Sequence, residues 1–215
     1  MAHERGYIRV SPETGKPEAF RVAKTCAQLG TIDGRGQVNQ GMAMDLRLAT
    51  PADAAALADL GARSFVEKFG YLYRPEDLSA FLAESHSEDV VAAQIADPKM
   101  RIMLAVDGAR LLGFCKIVMA CAWPDHARGS KAIELKQLYT DPEATGQGIG
   151  ARLMAWAMDE ARDFGADEVQ LSVWSENFGA HRFYARQGFE KVADIHFMVG
   201  EQRDEEFLYA RLLQG

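Results

Sequence analysis

The sequence predicts a single domain built on a mixed α/β sheet, and three observations carry that expectation. Strand-like and helical segments follow one another as β, helices, β-β-β, α, β, α, β-β, which is not the strict alternation of a doubly wound sheet. The 215 residues are 48% hydrophobic and 26% charged, proportions that one core accommodates without covalent staples. A run of closely spaced glycines, Gly146, Gly148 and Gly150, sits between a strand and a helix and marks where the domain meets a ligand.

Each element has a local reason. Leu46-Arg47-Leu48 alternates as a short strand. Thr50-Pro51-x-Asp53 opens a helix with a cap, a proline in the first turn and an acid, and Leu57, Leu60, Ser64 and Phe65 continue it at helical spacing. Pro75-Glu76-Asp77 and Ser87-Glu88-Asp89 open two more. Arg101 to Val106 reads as a strand, and Asp107-Gly108 turns it into a second over Leu111 to Met119. Ile133 to Thr140 is a strand, and Ile149 to Phe164 is a helix stopped by Gly165. Glu168 to Val173 is a strand, and Ala180 to Gln187 is a short helix stopped by Gly188. Phe189 to Val199 and Glu206 to Leu213 close the chain as two antiparallel strands.

Several function classes are excluded. The three cysteines are scattered and form no Cys-x-x-Cys pair, so neither a disulfide framework nor a structural zinc is expected, and no metal. No apolar run approaches the ~18 residues of a bilayer span. A formal net charge of −7 argues against a nucleic-acid phosphate binder. Residues 1–43 are polar and aperiodic, without an apolar core of a signal peptide, and are expected to be a disordered extension or upstream sequence. The domain is then residues 44–215, in the cytoplasm. A sheet of this kind leaves edge strands free, so a homodimer is an open expectation.

The glycine loop runs Thr140-Asp141-Pro142-Glu143-Ala144-Thr145-Gly146-Gln147-Gly148-Ile149-Gly150-Ala151-Arg152. Glycines let the backbone approach a ligand closely, and the helix that follows offers unpaired amides and a positive dipole end, so a pyrophosphate is the natural occupant. The alternative is a tight surface turn. A P-loop fails because no Lys follows the glycines. Gly146, Gly148 and Ala151 match a dinucleotide fingerprint, but Asp141 to Thr145 separate them from their strand, and Glu168 opens the next strand instead of ending it.

Residues 44–213 resemble the GCN5-related N-acetyltransferase (GNAT) superfamily. The resemblance rests on this loop, where Thr145-Gly146-Gln147-Gly148-Ile149-Gly150 follows a Gln/Arg-x-x-Gly-x-Gly/Ala pattern with Thr at its first position. It rests also on Glu134-Leu135-Lys136-Gln137-Leu138-Tyr139-Thr140 and on Asn177-x-x-Ala180-x-x-Phe183-Tyr184-x-x-x-Gly188-Phe189. It implies a GNAT-like acyl-CoA N-acyltransferase fold and transfer of an acetyl group from acetyl-CoA to a primary amine, directly in a ternary complex. It also implies a central strand splayed from its neighbour. A narrower similarity, to the bacterial spermidine/spermine N-acetyltransferase group, lies in Phe65 with the Phe69 region, Val173-Trp174-x-Glu176-Asn177 and His196-Phe197-x-x-Gly200, and points to a polyamine acceptor.

On this resemblance, Leu138, Tyr139 and Thr140, the loop from Thr145 through Gly146, Gln147, Gly148, Ile149 and Gly150 to Ala151, and Asn177 hold acetyl-CoA. A backbone N–H near Leu138 or Tyr139 would polarise the thioester carbonyl. Glu134 is the candidate base, because an alkylamine reaches the site protonated. Tyr184 is the candidate acid for the departing thiolate, its phenol being close in acidity to a thiol. The helices between residues 57 and 95, rich in Glu67, Glu76, Asp77, Glu84, Glu88 and Asp89, and the late strands are expected to frame the acceptor, with His196 on its side; the alternative for those acids is a solvated helical surface. The rival readings are a non-catalytic acyl-CoA-binding sensor and an NAD(P)-dependent oxidoreductase.

Overall fold

The chain enters the sheet through a carboxylate. Asp53 accepts the N–H and the hydroxyl of Thr50, both at 2.8 Å, and grips the Arg47 guanidinium at 2.6 and 2.8 Å. This ties β1 (Asp45–Leu48) to the start of α1 (Ala54–Phe69) across a single helical turn at Pro51–Asp53. The computed structural model describes residues 44–144 and 146–213; the expectation for residues 1–43 falls outside them. After α1 come α2 (Pro75–His86), α3 (Glu88–Ala96), β2 (Met100–Asp107), β3 (Arg110–Val118) and β4 (Ala132–Thr140). Then follow α4 (Ile149–Asp163), β5 (Glu168–Trp174), α5 (Phe178–Arg186), β6 (Glu190–Val199) and β7 (Gln202–Leu212).

The seven strands form one sheet in the order β1-β2-β3-β4-β5-β7-β6, antiparallel throughout except for the parallel β4–β5 pair. This is the mixed sheet expected. One boundary differs in a way that matters. β7 starts at Gln202, not Glu206, because the charged run Gln202-Arg203-Asp204-Glu205 looks like a turn but pairs with β6 from Val199–Gln202 onward.

The two faces of the sheet are covered by different helices. Under α4 and α5 lie Cys115, Ile133, Leu135, Val169 and Leu171, packed against Leu153, Met154 and Ala157. Under α1 and α3 lie Ile102, Leu104, Phe114 and Tyr139. The end of α1 and α2 add a third cluster on the same side, in which Phe65, Phe69, Tyr73 and Phe81 meet Trp174 and Phe197. The β3–β4 register slips between Lys116–Gln137 and Ile117–Leu135, so Lys136 forms a bulge. Such a bulge bends its strand and sharpens its twist. Gly113 lets the far ends of these strands close up, since a Cβ there would stand 2.6 Å from the Tyr139 carbonyl oxygen.

Lys116 is buried within this framework, its ammonium donating to Gln94 Oε1 of α3. Burial, with the charge of Lys136 adding to it, pulls its pKa down to about 7 from 10.5. The unfolded chain keeps that proton up to 10.5, so between about 7 and 10.5 it binds more protons than the folded one and stability rises with pH. Below that window both states are charged and the folded state bears the full cost. Lys116→Met is therefore expected to raise the urea midpoint most at and below pH 7 and to lose that advantage as the pH climbs toward 10.5. Urea titrations across that range check it.

Candidate active site

β4 and β5 share only three register pairs, Ala132–Glu168, Ile133–Val169 and Glu134–Gln170. Beyond them β4 runs on to Thr140 and β5 to Trp174 with no ladder between, while the other edge of β4 stays paired to β3 as far as Thr140. The bulge at Lys136 bends β4 just past the last shared pair. The result is the expected splay, a V whose inner edge on β4 offers main-chain groups not taken up by a strand partner.

The glycine loop lies at the open end of the V. Asp141 anchors its first half: its N–H donates to the Leu112 carbonyl at 2.8 Å, and its carboxylate accepts the Glu143 N–H at 2.9 Å and one N–H of Arg110 at 3.4 Å. Thr145 lies outside the described residues. Gly146 and Gly148 have φ of +80° and +75°, a region L side chains rarely adopt. Gly148 caps α4, and the first amide to bond back into the helix is Arg152 N, which reaches the Gly148 carbonyl at 3.1 Å. The amides of Ile149, Gly150 and Ala151 therefore have no acceptor within the helix and sit at its positive end. Gly146, Gln147 and Gly148 are exposed, whereas the Ile149 side chain is buried and anchors the turn. The geometry suits a diffuse anion.

Three elements converge beside this loop. A Cβ on Gly150 would lie 3.9 Å from the Phe183 ring of α5 and 4.0 Å from Thr140 Cγ2 of β4. Leu138 and Tyr184 share one core cluster with Ile149. Tyr184 is wholly buried, its ring edge-on to Phe183 at 5.3 Å and Phe189 at 5.8 Å. Asn177 starts α5 by accepting the Ala180 N–H at 3.3 Å through Oδ1, and its buried Nδ2 has no hydrogen-bond partner. Tyr139 is 2% exposed, edge-on to Phe114, and its hydroxyl has no hydrogen-bond partner. Burial, then the neighbouring Tyr184 and Glu206, push its phenol well above the ordinary range, so it stays protonated.

Glu134 is buried at the closed end of the V, opposite Gln170, where the strands are still paired. The structure thus gathers Leu138, Tyr139, Thr140, the α4 amides and Tyr184 at the open end and sets Glu134 at the other. Burial pushes the Cys115 thiol up, which suits a core residue and not a nucleophile. Among the described residues no group of three or more His, Cys, Asp or Glu is placed to hold a metal, and no helix is long and apolar enough to cross a membrane.

Two acids escaped the sequence reasoning. Asp204 and Glu206 are buried on β7, and Asp204 accepts the Tyr73 hydroxyl proton. The alternation Asp204-x-Glu206-x-Leu208-x-Ala210 was their signal, obscured by surrounding charge. Among the helical acids expected to frame the acceptor, Glu67, Glu76, Glu84, Glu88 and Asp89 are exposed and Asp77 is bound to Arg74 at 2.7 Å. His196 is exposed opposite Glu205, on the other side of β6 from Phe197.

Comparison with known proteins agrees with this architecture. A sequence model of the acetyltransferase (GNAT) family matches residues 65–189. An uncharacterised N-acetyltransferase of Mycobacterium tuberculosis is 30% identical over 162 residues, 75% of this chain and 98% of that protein. An aminoalkylphosphonate N-acetyltransferase of Salmonella typhimurium is 35% identical over 104 residues, 48% of this chain and 65% of that one. The crystal structure of a PaiA N-acetyltransferase from Thermoplasma acidophilum in complex with coenzyme A superposes with a TM-score of 0.65, at 21% identity, over 80% of this chain and all of that one.

The two ends of the Asn177 side chain are separable. Asn177→Asp keeps the cap acceptor and is expected to leave the denaturation midpoint near that of the unmutated chain. Asn177→Ala loses the cap and about 1 kcal/mol of stability. Chemical denaturation of both variants checks this.

Proposed function

The chain belongs to the acetyltransferase (GNAT) family, and on that premise we propose that it transfers the acetyl group of acetyl-CoA to a primary amine of a small molecule, a polyamine in the first instance, by direct attack in a ternary complex. The observation that carries the proposal is the V between β4 and β5, opening onto unpaired amides at the start of α4 with Tyr184 and Tyr139 beside it.

Each half of the reaction has its residues. The amides from Gln147 to Ala151 bind the pyrophosphate, and Gly146 leads the chain into that turn. The pantetheine arm lies along the inner edge of β4 at Leu138, Tyr139 and Thr140, as an added strand would, and Asn177 Nδ2 donates to one of its amide carbonyls. A β4 amide in the same stretch points at the thioester oxygen, where negative charge grows during attack. The incoming ammonium loses a proton to a buried carboxylate on the α1–α2 face of the sheet, where Glu134 and Glu206 both lie. The neutral nitrogen forms the C–N bond, the C–S bond breaks, and Tyr184 gives its proton to the sulfur.

The relatives support the choice of cosubstrate and acceptor class. The Thermoplasma protein is bound to coenzyme A, and the Salmonella protein is named for a small amine. The polyamine reading is supported by Phe65, Phe69, Trp174 and Phe197, which lie far apart in the sequence yet fall in one aromatic cluster on the acceptor face. Such rings suit an alkylammonium chain.

The direct test is free-thiol release from acetyl-CoA in the presence of a panel of amines. Release with di- and polyamines is expected; cosubstrate binding with no release for any amine would refute the reaction. Gly148→Glu puts a side chain at φ +75° and a negative charge beside the phosphates, and is expected to abolish acetyl-CoA binding in calorimetry. Tyr184→Phe is expected to lower kcat by about 100-fold with the acetyl-CoA KM unchanged, as steady-state kinetics would show.

A further inference from the structure

The acceptor side of the V holds a carboxylate on a strand that no motif reaches. Asp204, Glu206, Leu208 and Ala210 alternate onto the buried side of β7. In register Glu206 stands between Trp174 of β5 and Ile195 of β6, and it is 2% exposed. Its surroundings are aromatic: Trp174 meets Phe69 edge-on at 5.6 Å, and Phe197, one rung away opposite Asp204, meets Phe81 at 5.8 Å. Asp204 holds the Tyr73 hydroxyl, which pins the connection between α1 and α2 to the same strand.

Glu206 is close enough to act on both tyrosines of this region. Its charge raises the phenols of Tyr139 and Tyr73, and Tyr139 responds to Tyr184 as well. Tyr184 belongs to the cluster under α4 and α5, whereas Tyr139 lies in the cluster under α1 and α3 and Glu206 is paired with Trp174 on that same side of the sheet. The groups near Glu206 include Tyr139 from β4, Tyr73 from the α1–α2 connection and Asp204 on its own strand, and its cross-strand neighbours are Trp174 and Ile195. The Tyr139 hydroxyl is buried without a hydrogen-bond partner. Glu134 stands opposite Gln170 at the last shared pair, where β4 and β5 are still bonded.

A carboxylate inside a wall of rings is costly to bury, and a primary ammonium offsets that cost through its charge and its N–H bonds. The same rings favour a cation over their faces. We propose that Glu206 binds the ammonium group of the acceptor and takes its proton before attack, with the Tyr139 oxygen accepting a second N–H and the Trp174 ring closing the pocket. This rests on the reaction proposed above and assigns its base. The proton balance is complete: R–NH3+ gives one proton to Glu206, and the neutral nitrogen attacks the thioester carbon. The nitrogen sheds a second proton as the C–S bond breaks. Tyr184 protonates the sulfur and is itself reprotonated, so the sum is amide, free thiol and one H+. An acceptor whose nitrogen is already neutral has no use for the first step.

The test compares a basic alkyl diamine with an aniline-type acceptor that is uncharged at pH 7, following kcat/KM against pH. Glu206→Gln is expected to lose about 100-fold with the diamine at pH 7, to recover as the pH nears the amine pKa, and to keep its rate with the aniline within about 3-fold. Glu206→Asp restores part of the diamine rate, and Glu134→Gln leaves the acid limb of the profile in place. An unchanged diamine profile in Glu206→Gln overturns the proposal, and so does an equal loss with both acceptors, which is what a structural role predicts. Loss of the acid limb in Glu134→Gln overturns it too. If the unmutated enzyme acetylates neither acceptor while binding acetyl-CoA, the reaction itself fails. Should Glu206→Gln not fold, Tyr139→Phe removes only an unpartnered hydroxyl. It is expected to raise the diamine KM about 5-fold with the acetyl-CoA KM fixed, and an unchanged diamine KM overturns the proposal.

Discussion

The molecule turns on an incomplete ladder. Two parallel strands at the centre of the sheet bond over three residue pairs and then part, although each is continuous and each keeps its other neighbour. Parallel pairing normally continues while both strands last, because every unmade bond leaves main-chain groups without partners. Here the bulge at Lys136 sets the point of parting, and the β3 and β7 ladders hold the two arms rigid beyond it. The open edge is thus a feature of the scaffold and needs no flexible loop to create it. A ligand that lays amides along β4 completes what the strands leave unfinished.

That opening also separates two chemical environments. On the α4–α5 side the lining is aliphatic and aromatic, and the polar groups on offer are main-chain amides at a helix end. On the α1–α2 side the same sheet carries buried carboxylates, a buried lysine and phenols amid rings. Polar groups are expensive inside a core unless matched, so their concentration on one face is informative. Tyr139 and Glu206 lie on this polar side of the sheet and Tyr184 on the other.

Legibility from the sequence followed the range of the interactions involved. Features set by a few adjacent residues were readable: the starts at Pro51 and Pro75, the stop at Gly165 and the glycines with positive φ before α4. The mixed sheet and the place of the glycine turn before α4 followed from them. The acceptor half is made by contacts between distant parts of the chain, as between Tyr73 and Asp204, 131 residues apart. Local charge was misleading there. Glu67 and Glu84 lie on helices and face outward, whereas Asp204 and Glu206 sit in a run of charge with the look of a turn and point inward. Period-2 alternation continued beneath the charge, but a polar residue at an inward position carries no hydrophobic signal to betray it.

The hairpin of β6 and β7 joins the sheet along one edge, through the β5–β7 ladder, and its far strand is the border of the molecule. It carries the buried carboxylates Asp204 and Glu206, while the glycine turn and the unpaired amides belong to the segment between β4 and α4. On the proposed reading, the coenzyme-gripping and amine-selecting parts are thus largely separate cassettes. Descendants of such a chain could acquire a new nucleophile by redrafting this marginal hairpin, leaving the ancestral donor machinery intact.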